Sequence, residues 1–484
     1  MVFSSPIFLF LFLPVVLTAY LLLPGLRLKN FWLLLASIIF YSWGEPLFLL
    51  LLLVSTMMNY YLGLWVDGSG DPRKRKFAVG LAVALNIGLL AFFKYANFAV
   101  HTLNTVMGWA QVPPVSFPHI ALPIGISFFT FHALSYVIDI YRRKSRAAKN
   151  PGDTALYIFL FPQLIAGPIL RWSAIAPQLV QRVLTREGFV EGVRRFVMGF
   201  AKKMIVANIV AVPADKIFAL PAAQLTMPLA WFAALCYALQ IYFDFSAYSD
   251  MAIGLGKMFG FKFLENFNYP YVSLSIREFW RRWHMSLSGW FRDYLYIPMG
   301  GNHVSTGRNY FNLITVFFLC GLWHGASWTF VIWGLYHGIF LVLERTRFGT
   351  FMDSLWRPLR HGYALLAVVC GWVIFRADTF SQAAEFFKFM SDLGHATQSA
   401  QPLARYVNNE VLWSIAFGVI FSAPTWPCLK GWFARIPEIV PAAIRPAVYV
   451  FGFVAEIILI AALLLISAAW LAGGTYNPFI YYRF

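Results

Sequence analysis

Charged residues are scarce in this chain of 484 residues: only 12% are Asp, Glu, Lys or Arg, whereas 60% are hydrophobic. A soluble domain carries roughly 25% charged residues, so these side chains cannot cover the surface of a water-soluble globule of this size. The high apolar content, with aromatic residues at 19%, also excludes an intrinsically disordered chain. The composition therefore predicts a polytopic membrane protein.

Cysteine is also rare. The four cysteines, Cys236, Cys320, Cys370 and Cys428, lie far apart and form no C-x-x-C pair, which argues against a zinc site, a redox site and a disulfide framework.

Asp and Glu number 21 against 38 Lys and Arg, which gives a net charge of +17. In a soluble chain this excess would suggest nucleic acid. In a membrane chain it indicates cationic cytoplasmic loops, so we expect lipids and no nucleic acid as partners.

Several catalytic motifs are missing as well. The sequence contains no G-x-S-x-G nucleophile elbow, no H-E-x-x-H zinc motif, no Walker loop and no H-x-x-x-x-D acyltransferase box. Their absence argues against serine-triad hydrolysis, zinc proteolysis and ATP-driven transport. The sequence is compatible with a histidine that acts as general base on an acceptor hydroxyl, because the pKa of histidine lies near working pH.

Long hydrophobic runs are abundant. A bilayer core needs roughly 20 apolar residues for each helical span, and the runs predict about 10–12 transmembrane helices. The stretch 155–170 is interrupted by Pro162, Gly167 and Pro168. This pattern predicts a broken or re-entrant segment, which is tolerated only where protein or water satisfies the backbone. The candidate spans are about 7–24, 31–43, 46–65, 78–99, 121–141, 192–213, 228–256, 310–342, 362–376, 411–425 and 447–472.

Basic loops set the predicted orientation. The clusters at 73–76 and 142–149 are separated by two spans, so both loops face the same side, and the positive-inside rule makes that side cytoplasmic. Counting onward, the net-basic segment 344–360 is cytoplasmic and the tail 473–484 lies outside. No internal repeat or Gly/Ser linker is visible, so residues 1–484 are expected to form one integral membrane domain.

The first candidate site is a histidine in an uncharged run. Residues 312–343 contain no Asp, Glu, Lys or Arg, yet His324 and His337 both occur there. Polar groups inside a membrane are costly and are therefore functional candidates. His324 lies in Gly321-Leu-Trp-His-Gly325, whose glycines allow a helix or a ligand to approach the backbone closely. A hydrogen-bonded packing histidine is the alternative for His324 and the favoured interpretation of His337.

The second candidate combines aromatic and basic residues. Placed on one helix, the segment 277–292 has an aromatic arc beside a polar arc rich in arginine, and His284 falls on the seam between them. Such a histidine can face a tunnel, and a basic mouth would suit an anionic donor such as a phosphate of coenzyme A. The alternative is an interfacial helix whose arginines bind lipid phosphates. The candidate donor-binding residues are Arg277, Arg281, Arg282 and Arg292.

The third feature is a pair of acids. Asp244 and Asp250 lie in an otherwise uncharged run over residues 220–256. Because an isolated carboxylate is costly inside a membrane, we expect both acids to pair with arginines or polarised histidines in a structural role. No metal site is predicted.

Four blocks of the sequence resemble the membrane-bound O-acyltransferase superfamily: YFDFSAYSDMAIGLG, ENFNYPY, SIREFWRRWHMSLSGWFRDYLYIPMGGN and GLWHGASWTFVIWG. The chain is most similar to the bacterial branch of alginate O-acetyltransferase-like proteins, from MVFSSPIFLFLFLP to NPFIYYRF. The resemblance implies an all-α polytopic membrane protein, with a ring of tilted helices around a central tunnel. The chain is short for the alginate enzyme, which leaves room for another exopolysaccharide, such as cellulose.

The resemblance also implies roles for particular residues. His324 corresponds to the catalytic histidine of the family and His284 to its second histidine. We expect His324 to take a proton from the attacking hydroxyl, while His284 orients the thioester carbonyl or stabilises its oxyanion. Tyr481 resembles a C-terminal tyrosine that has been proposed as an acyl carrier in related systems. The alternative is that this aromatic tail only anchors the last helix.

The implied partners follow from the same resemblance. Acetyl-CoA is the expected donor on the cytoplasmic side of the bacterial inner membrane, and the acetyl group is delivered outward. A periplasmic partner of the SGNH-hydrolase-like type is expected to complete the transfer to a polysaccharide hydroxyl. No metal is expected to take part.

Two other classes of function are compatible with the sequence. A polysaccharide or lipid transporter would use intramembrane His and Asp residues as a proton relay, but it leaves the two histidine blocks unexplained. A non-catalytic scaffold for a secretion complex is the second alternative. Turnover of acetyl-CoA that depends on His324 would separate the enzyme from both.

Overall fold

The regular structure of this chain is entirely helical within residues 1–392 and 401–474, which are the residues that the computed structural model describes. The predicted all-α class is therefore confirmed. The chain divides into two compact units: unit 1 contains Met1–Val193 and Met251–Leu264, and unit 2 contains Arg194–Asp250 and the residues from Glu265 onward. Tyr481, the predicted acyl carrier, lies outside the described residues.

Unit 1 contains the first eight α-helices and the beginning of the ninth. An aromatic cluster packs its N-terminal part: the rings of Phe8 and Phe12 lie between 5.4 and 6.2 Å from those of Phe40 and Phe161. The helices are α1 (Leu13–Leu22), α2 (Leu26–Ser42), α3 (Pro46–Gly68), α4 (Pro72–Trp109), α5 (Ile126–Tyr141), α6 (Pro151–Phe159), α7 (Phe161–Leu164), α8 (Trp172–Val180) and α9 (Arg186–Ala201).

Two asparagines join α3 to α4. The side-chain amide of Asn59 donates to Oδ1 of Asn86 over 3.1 Å, and that of Asn86 donates to Oδ1 of Asn59 over 2.8 Å. Each amide also donates to a backbone carbonyl of its own helix, that of Ser55 or Ala82, over 2.8 Å. Each side-chain amide therefore uses both of its N–H donors and one lone pair of its oxygen.

The stretch after α6 is broken at its prolines and stays buried. Its backbone and flanking side chains find protein partners. The amide of Phe161 donates to the hydroxyl of Ser37 over 3.1 Å, and the hydroxyl of Tyr157 donates to the carbonyl of Leu170 over 2.8 Å. These bonds meet the requirement that irregular backbone in an apolar region be satisfied internally.

Unit 2 contains the remaining helices. They are α10 (Asn208–Phe218), α11 (Met227–Met258), α12 (Ile276–Arg282), α13 (Met285–Phe291), α14 (Thr306–His324), α15 (Trp328–Leu343), α16 (Arg347–Ser354), α17 (Arg357–Arg376), α18 (Phe380–Ser391), α19 (Asn409–Phe421), α20 (Thr425–Ile439) and α21 (Arg445–Ala472). The last residues of α11 belong to unit 1.

Six helical segments of the described chain are long and apolar enough to cross a membrane. The pair α19 and α20, bent by 69°, makes a seventh if it forms one span. Shorter apolar helices occur at Phe8–Leu22, Ile126–Tyr141 and Trp328–Leu343. The protein is therefore a multi-pass membrane protein. The six segments are Pro46–Gly68, Pro72–Trp109, Arg186–Phe218, Met227–Met258, Arg357–Arg376 and Arg445–Ala472.

Candidate active site

His324 is held at the end of a tightly packed helical hairpin. A Cβ atom added at Gly321 of α14 would lie 2.3 Å from the carbonyl oxygen of Phe330, and one added at Gly334 of α15 would lie 2.2 Å from that of Phe317. No side chain fits at either distance, so glycine at both positions lets the two backbones touch. The close approach at Gly321 is therefore to the next helix of the hairpin.

The surroundings of His324 are aromatic. The residue is 4% exposed, and its ring centroid lies 4.9 Å from those of Trp323 and Trp333 and 5.3 Å from that of Phe375. These large rings fix the imidazole in a low-dielectric environment, where a proton transfer meets little competition from water.

His284 lies in a break between two short helices. The segment 277–292 is not the single helix that the sequence suggested: α12 ends at Arg282, and α13 begins at Met285. His284 itself has φ +44° and ψ +54°, a left-handed conformation that costs a residue other than glycine roughly 1–3 kcal/mol. Backbone bonds from Asn268 to Arg282 and from Met285 to Asn266, each 2.9 Å long, replace the helical bonds at the break.

Asn266 binds the ring of His284. Oδ1 of Asn266 lies 3.1 Å from Nδ1 of His284, and it accepts hydrogen bonds from the backbone amide of Ser286 over 3.2 Å and from its hydroxyl over 2.9 Å. Sequence reasoning did not identify Asn266 as a functional residue, although it lies in the ENFNYPY block. The available signal was a polar residue among aromatic ones.

His284 is fully buried between aromatic rings. Its ring centroid lies 4.6 Å from that of Phe245 and 6.5 Å from that of Phe267. His284 lies outside the segments that can span the membrane, and burial lowers the pKa of its imidazole. The ring is therefore neutral at ordinary pH.

The two predicted histidines share one neighbour. The ring of Trp323 lies 6.0 Å from that of His284 and 4.9 Å from that of His324. Residues that are 40 positions apart in the sequence thus come together around one indole ring in unit 2. The arrangement gives two buried imidazoles among aromatic side chains, which can bind and polarise a small acyl group.

His337 lies beside the same site. It is fully buried, with its ring 5.2 Å from that of Trp333 and 5.1 Å from that of Trp280. Neither ring nitrogen of His337 has a hydrogen-bond partner among the described residues. Trp333 therefore contacts both His324 and His337, as Trp323 contacts both His284 and His324.

A carboxylate anchors the start of α12. The backbone amides of Ile276 and Arg277 donate to the carboxylate of Glu344 over 2.6 and 2.9 Å, and the guanidinium of Arg277 donates to the carbonyl of Glu344 over 2.7 Å. A negative charge is favourable at a helix N-terminus. The start of α12 is thus fixed at the C-terminal end of α15, and His284 follows the opposite end of α12.

The four predicted donor-binding arginines have different surroundings. Besides Arg277, Arg282 pairs with Glu278 over 2.8 Å, and Arg292 pairs with Asp293 over 2.7 Å. Burial acts to raise the pKa of Glu278, but a backbone N–H and the Arg282 guanidinium outweigh it and lower that pKa. Arg281 is exposed and has no hydrogen bond or ion pair within the described part of the chain.

The two acids of α11 lie in ion pairs. Asp244 and Lys203 are 2.6 Å apart, with side chains that are 1% and 3% exposed. Asp250 lies 2.9 Å from Arg195 and 2.6 Å from Lys202, and Arg195 also pairs with Glu265. Among residues 1–392 and 401–474, no group of three His, Cys, Asp or Glu side chains is placed to hold a metal ion.

Comparison with known proteins gives a consistent match. The model of the "MBOAT, membrane-bound O-acyltransferase family" matches residues 38–380. The chain is 48% identical to "Probable alginate O-acetylase AlgI" of Azotobacter vinelandii over 400 residues, which are 82% of this chain and 80% of that protein. It is 48% identical to the protein of that name from Pseudomonas aeruginosa over 81% of this chain and 75% of the relative.

A more distant relative covers a larger part of both chains. The chain is 35% identical to "Peptidoglycan O-acetyltransferase" of Helicobacter pylori over 468 residues, which are 88% of this chain and 87% of that protein.

Proposed function

The chain belongs to the membrane-bound O-acyltransferase family and is an O-acetyltransferase, and we propose that it transfers acetyl from acetyl-CoA toward the hydroxyls of an exopolysaccharide. The names of the relatives describe acetyl transfer to alginate and to peptidoglycan, and both of these polymers carry sugar hydroxyls. The observation that carries the proposal is the pair of buried histidines around Trp323, both packed against aromatic rings.

The first step transfers the acetyl group from a thioester to a hydroxyl. His324 takes the proton of the attacking hydroxyl, the hydroxyl oxygen bonds to the carbonyl carbon of a thioester, and the carbon–sulfur bond breaks. Acetyl-CoA is the proposed donor, and coenzyme A leaves as a thiolate. His284 is the second catalytic residue, and its ring lies 6.0 Å from that of Trp323.

The donor approaches α12 from the cytoplasmic side. Coenzyme A carries several phosphate charges, and Arg281 of α12 offers an exposed guanidinium. We assign the cytoplasmic side of a bacterial inner membrane to the segment 344–360, which is net basic and contacts the start of α12 through Glu344. Arg277, Arg282 and Arg292 add positive potential while they hold protein partners.

The acetyl group leaves toward the outside, where a periplasmic SGNH-type partner completes the transfer to an exopolysaccharide of the alginate or cellulose type. Tyr481 is the proposed acyl carrier: its hydroxyl attacks the thioester, and a hydroxyl of the partner then takes the acetyl group from the tyrosyl ester, which restores the Tyr481 hydroxyl. Replacement of its hydroxyl in Tyr481→Phe should abolish polymer acetylation while acetyl-CoA binding remains, as measured on cells and on purified protein. Unchanged polymer acetylation would leave Tyr481 without this role.

The principal experiment measures turnover of labelled acetyl-CoA by purified protein in lipid vesicles, with the partner present. His324→Ala should lower turnover about 10²–10⁴-fold, the usual contribution of a general base. His101→Ala, which removes an exposed histidine of unit 1, is the matched control and should keep full turnover.

The proposal fails if wild-type protein neither binds nor turns over acetyl-CoA even with its partner. Proton-coupled movement of a polysaccharide or lipid without acetyl transfer would instead identify the transporter.

A further inference from the structure

We infer that Asn266 is a positioning residue that fixes the tautomer of His284, so that Nε2 of His284 presents a lone pair to an O–H or N–H group of a substrate. This inference rests on the proposed function and assigns His284 a definite part in it. A bare Nε2 of His284 accepts a hydrogen bond, whereas stabilisation of an oxyanion requires a donor. The inference therefore gives His284 a different role from the oxyanion stabilisation expected from the sequence.

The orientation of the Asn266 side-chain amide follows from its neighbours. A backbone N–H can only donate, and that of Ser286 points at the side chain of Asn266 over 3.2 Å. The atom that faces it must therefore be the carbonyl oxygen, because the –NH₂ group of an asparagine offers only donors. The hydroxyl of Ser286, 2.9 Å from the same oxygen, can donate to it as well.

The tautomer of His284 follows from this orientation. Oδ1 of Asn266 is an acceptor, so Nδ1 of His284, 3.1 Å away, must carry the proton. A neutral imidazole has one N–H and one bare nitrogen. Because burial keeps this ring neutral, Nε2 is the bare nitrogen.

Nε2 of His284 has no hydrogen-bond partner within residues 1–392 and 401–474, and the residue is 0% exposed. A buried acceptor without a partner costs roughly 1–3 kcal/mol. The neighbouring rings of Phe245 and Phe267 have no polar hydrogen to offer. A substrate group that brings its own proton donor to Nε2 would satisfy this lone pair.

Asn266 holds His284 through the backbone as well. Its carbonyl accepts from the amide of Met285 over 2.9 Å, directly after the left-handed residue. Asn266 is itself 1% exposed, and its Nδ2 has no partner among the described residues. The pair thus offers one acceptor and one donor to an occupant of the site.

Two groups in the proposed reaction can supply the proton donor. One is the hydroxyl of the acceptor, which must be oriented toward the thioester. The other is an amide N–H of the arm that carries the thioester in coenzyme A. Measurements of acetyl-CoA binding in the absence of the polysaccharide substrate distinguish the two sources.

The direct test is nuclear magnetic resonance of protein with ¹³C-labelled histidine rings. The His284 signal is identified by its loss in His284→Gln. We expect the ring-carbon shifts of the Nδ1–H tautomer in wild type and in Asn266→Asp, whose carboxylate keeps the acceptor. Asn266→Leu should give a mixture of tautomers. Asn312→Leu, which removes another buried asparagine of unit 2, is the matched control and should leave the His284 signal unchanged.

Activity provides the second measurement. Asn266→Leu should lower kcat/KM about 10–100-fold, the effect known for removing a partner that orients a metal-binding histidine, and Asn266→Asp should recover most of it. If Asn266→Leu loses affinity for acetyl-CoA in the absence of polysaccharide, the group bound by Nε2 is an amide N–H of coenzyme A. If the affinity is unchanged and the transfer is slower, the group is the hydroxyl of the acceptor.

Two results overturn the inference. One is an Nε2–H tautomer of His284 in wild-type protein, which requires no variant to fold. The other is Asn266→Leu protein that keeps both the wild-type tautomer and full activity. The proposed function fails separately, if His324→Ala keeps full turnover while the tautomer is as expected.

Discussion

Two buried pairs of polar side chains show the difference between a structural contact and a reactive one. In unit 1, Asn59 and Asn86 donate to one another and to carbonyls of their own helices, so both donors of each amide are used. In unit 2, Asn266 and His284 are joined by one hydrogen bond, and Nδ2 of the first and Nε2 of the second have no partner among the described residues.

The difference lies in the remaining capacity for hydrogen bonds. Both pairs are buried, and burial makes each unpaired polar atom costly. The asparagine pair of unit 1 joins two helices and leaves no donor for a ligand. The pair of unit 2 leaves a donor on Asn266 and an acceptor on His284 without partners among the described residues. The backbone of His284 is also strained. Open capacity at a strained, buried position indicates a binding site.

The largest effect on stability is expected from the buried ion pair of Lys203 and Asp244, which, like the asparagine pair, is interpreted as a structural contact. Lys203→Met removes the cation from the buried pair with Asp244. Breaking such a pair costs about 3–5 kcal/mol, because one desolvated charge loses its compensation. The free energy of unfolding in detergent should fall by this amount, while the folded fraction keeps its turnover of acetyl-CoA.

The matched double variant separates charge from packing. Lys203→Met combined with Asp244→Leu removes both charges and should cost less than Lys203→Met alone. A double variant that is the least stable of the three proteins would contradict the uncompensated charge as the cause of the loss.

A smaller effect is expected at the uncharged pair. Asn59→Leu deprives Asn86 of both of its contacts with α3, and hydrogen bonds between helices in a membrane contribute about 0.6–2 kcal/mol. The free energy of unfolding should fall by that amount, and turnover per folded molecule should not change.

Replacement of both asparagines tests whether the two amides serve only to bind one another. Asn59→Leu with Asn86→Leu leaves no unpaired amide and should be closer to wild type in stability than either single variant. A loss of turnover in the folded double variant would show that this pair, too, takes part in the reaction, and the comparison with Asn266 and His284 would no longer hold.

Much of the helical architecture could be predicted from the sequence, because hydrophobic runs and their breaks are local properties. The runs near α3, α11 and α21 match their helices closely, and the prolines of the stretch 155–170 mark a real break. The run 310–342 is two helices, since Gly321 and Gly334 allow a tight hairpin that a hydropathy pattern does not distinguish from one long run.

The candidate site was predictable only in part. His324 and His284 stand out as polar residues in apolar or aromatic surroundings. The break at His284 was missed, because helical periodicity continues through residues 277–292 while the backbone bonds to Asn266 and Asn268 interrupt it. Lys203 was missed as the partner of Asp244, since the two are far apart in sequence and meet only when α11 packs in unit 2.

The sequence by itself determined the scarcity of charge, the helical class, the family blocks and the two histidines. Each of these depends on the identity of residues or on their spacing within a short window. Only the tertiary structure decided which nitrogen of His284 carries a proton, because that choice depends on an amide oxygen 18 residues away. The direction of that oxygen is in turn imposed by the backbone N–H of Ser286. Hydrogen-bond direction is a property of folded geometry, and no pattern of residue types along the chain specifies it.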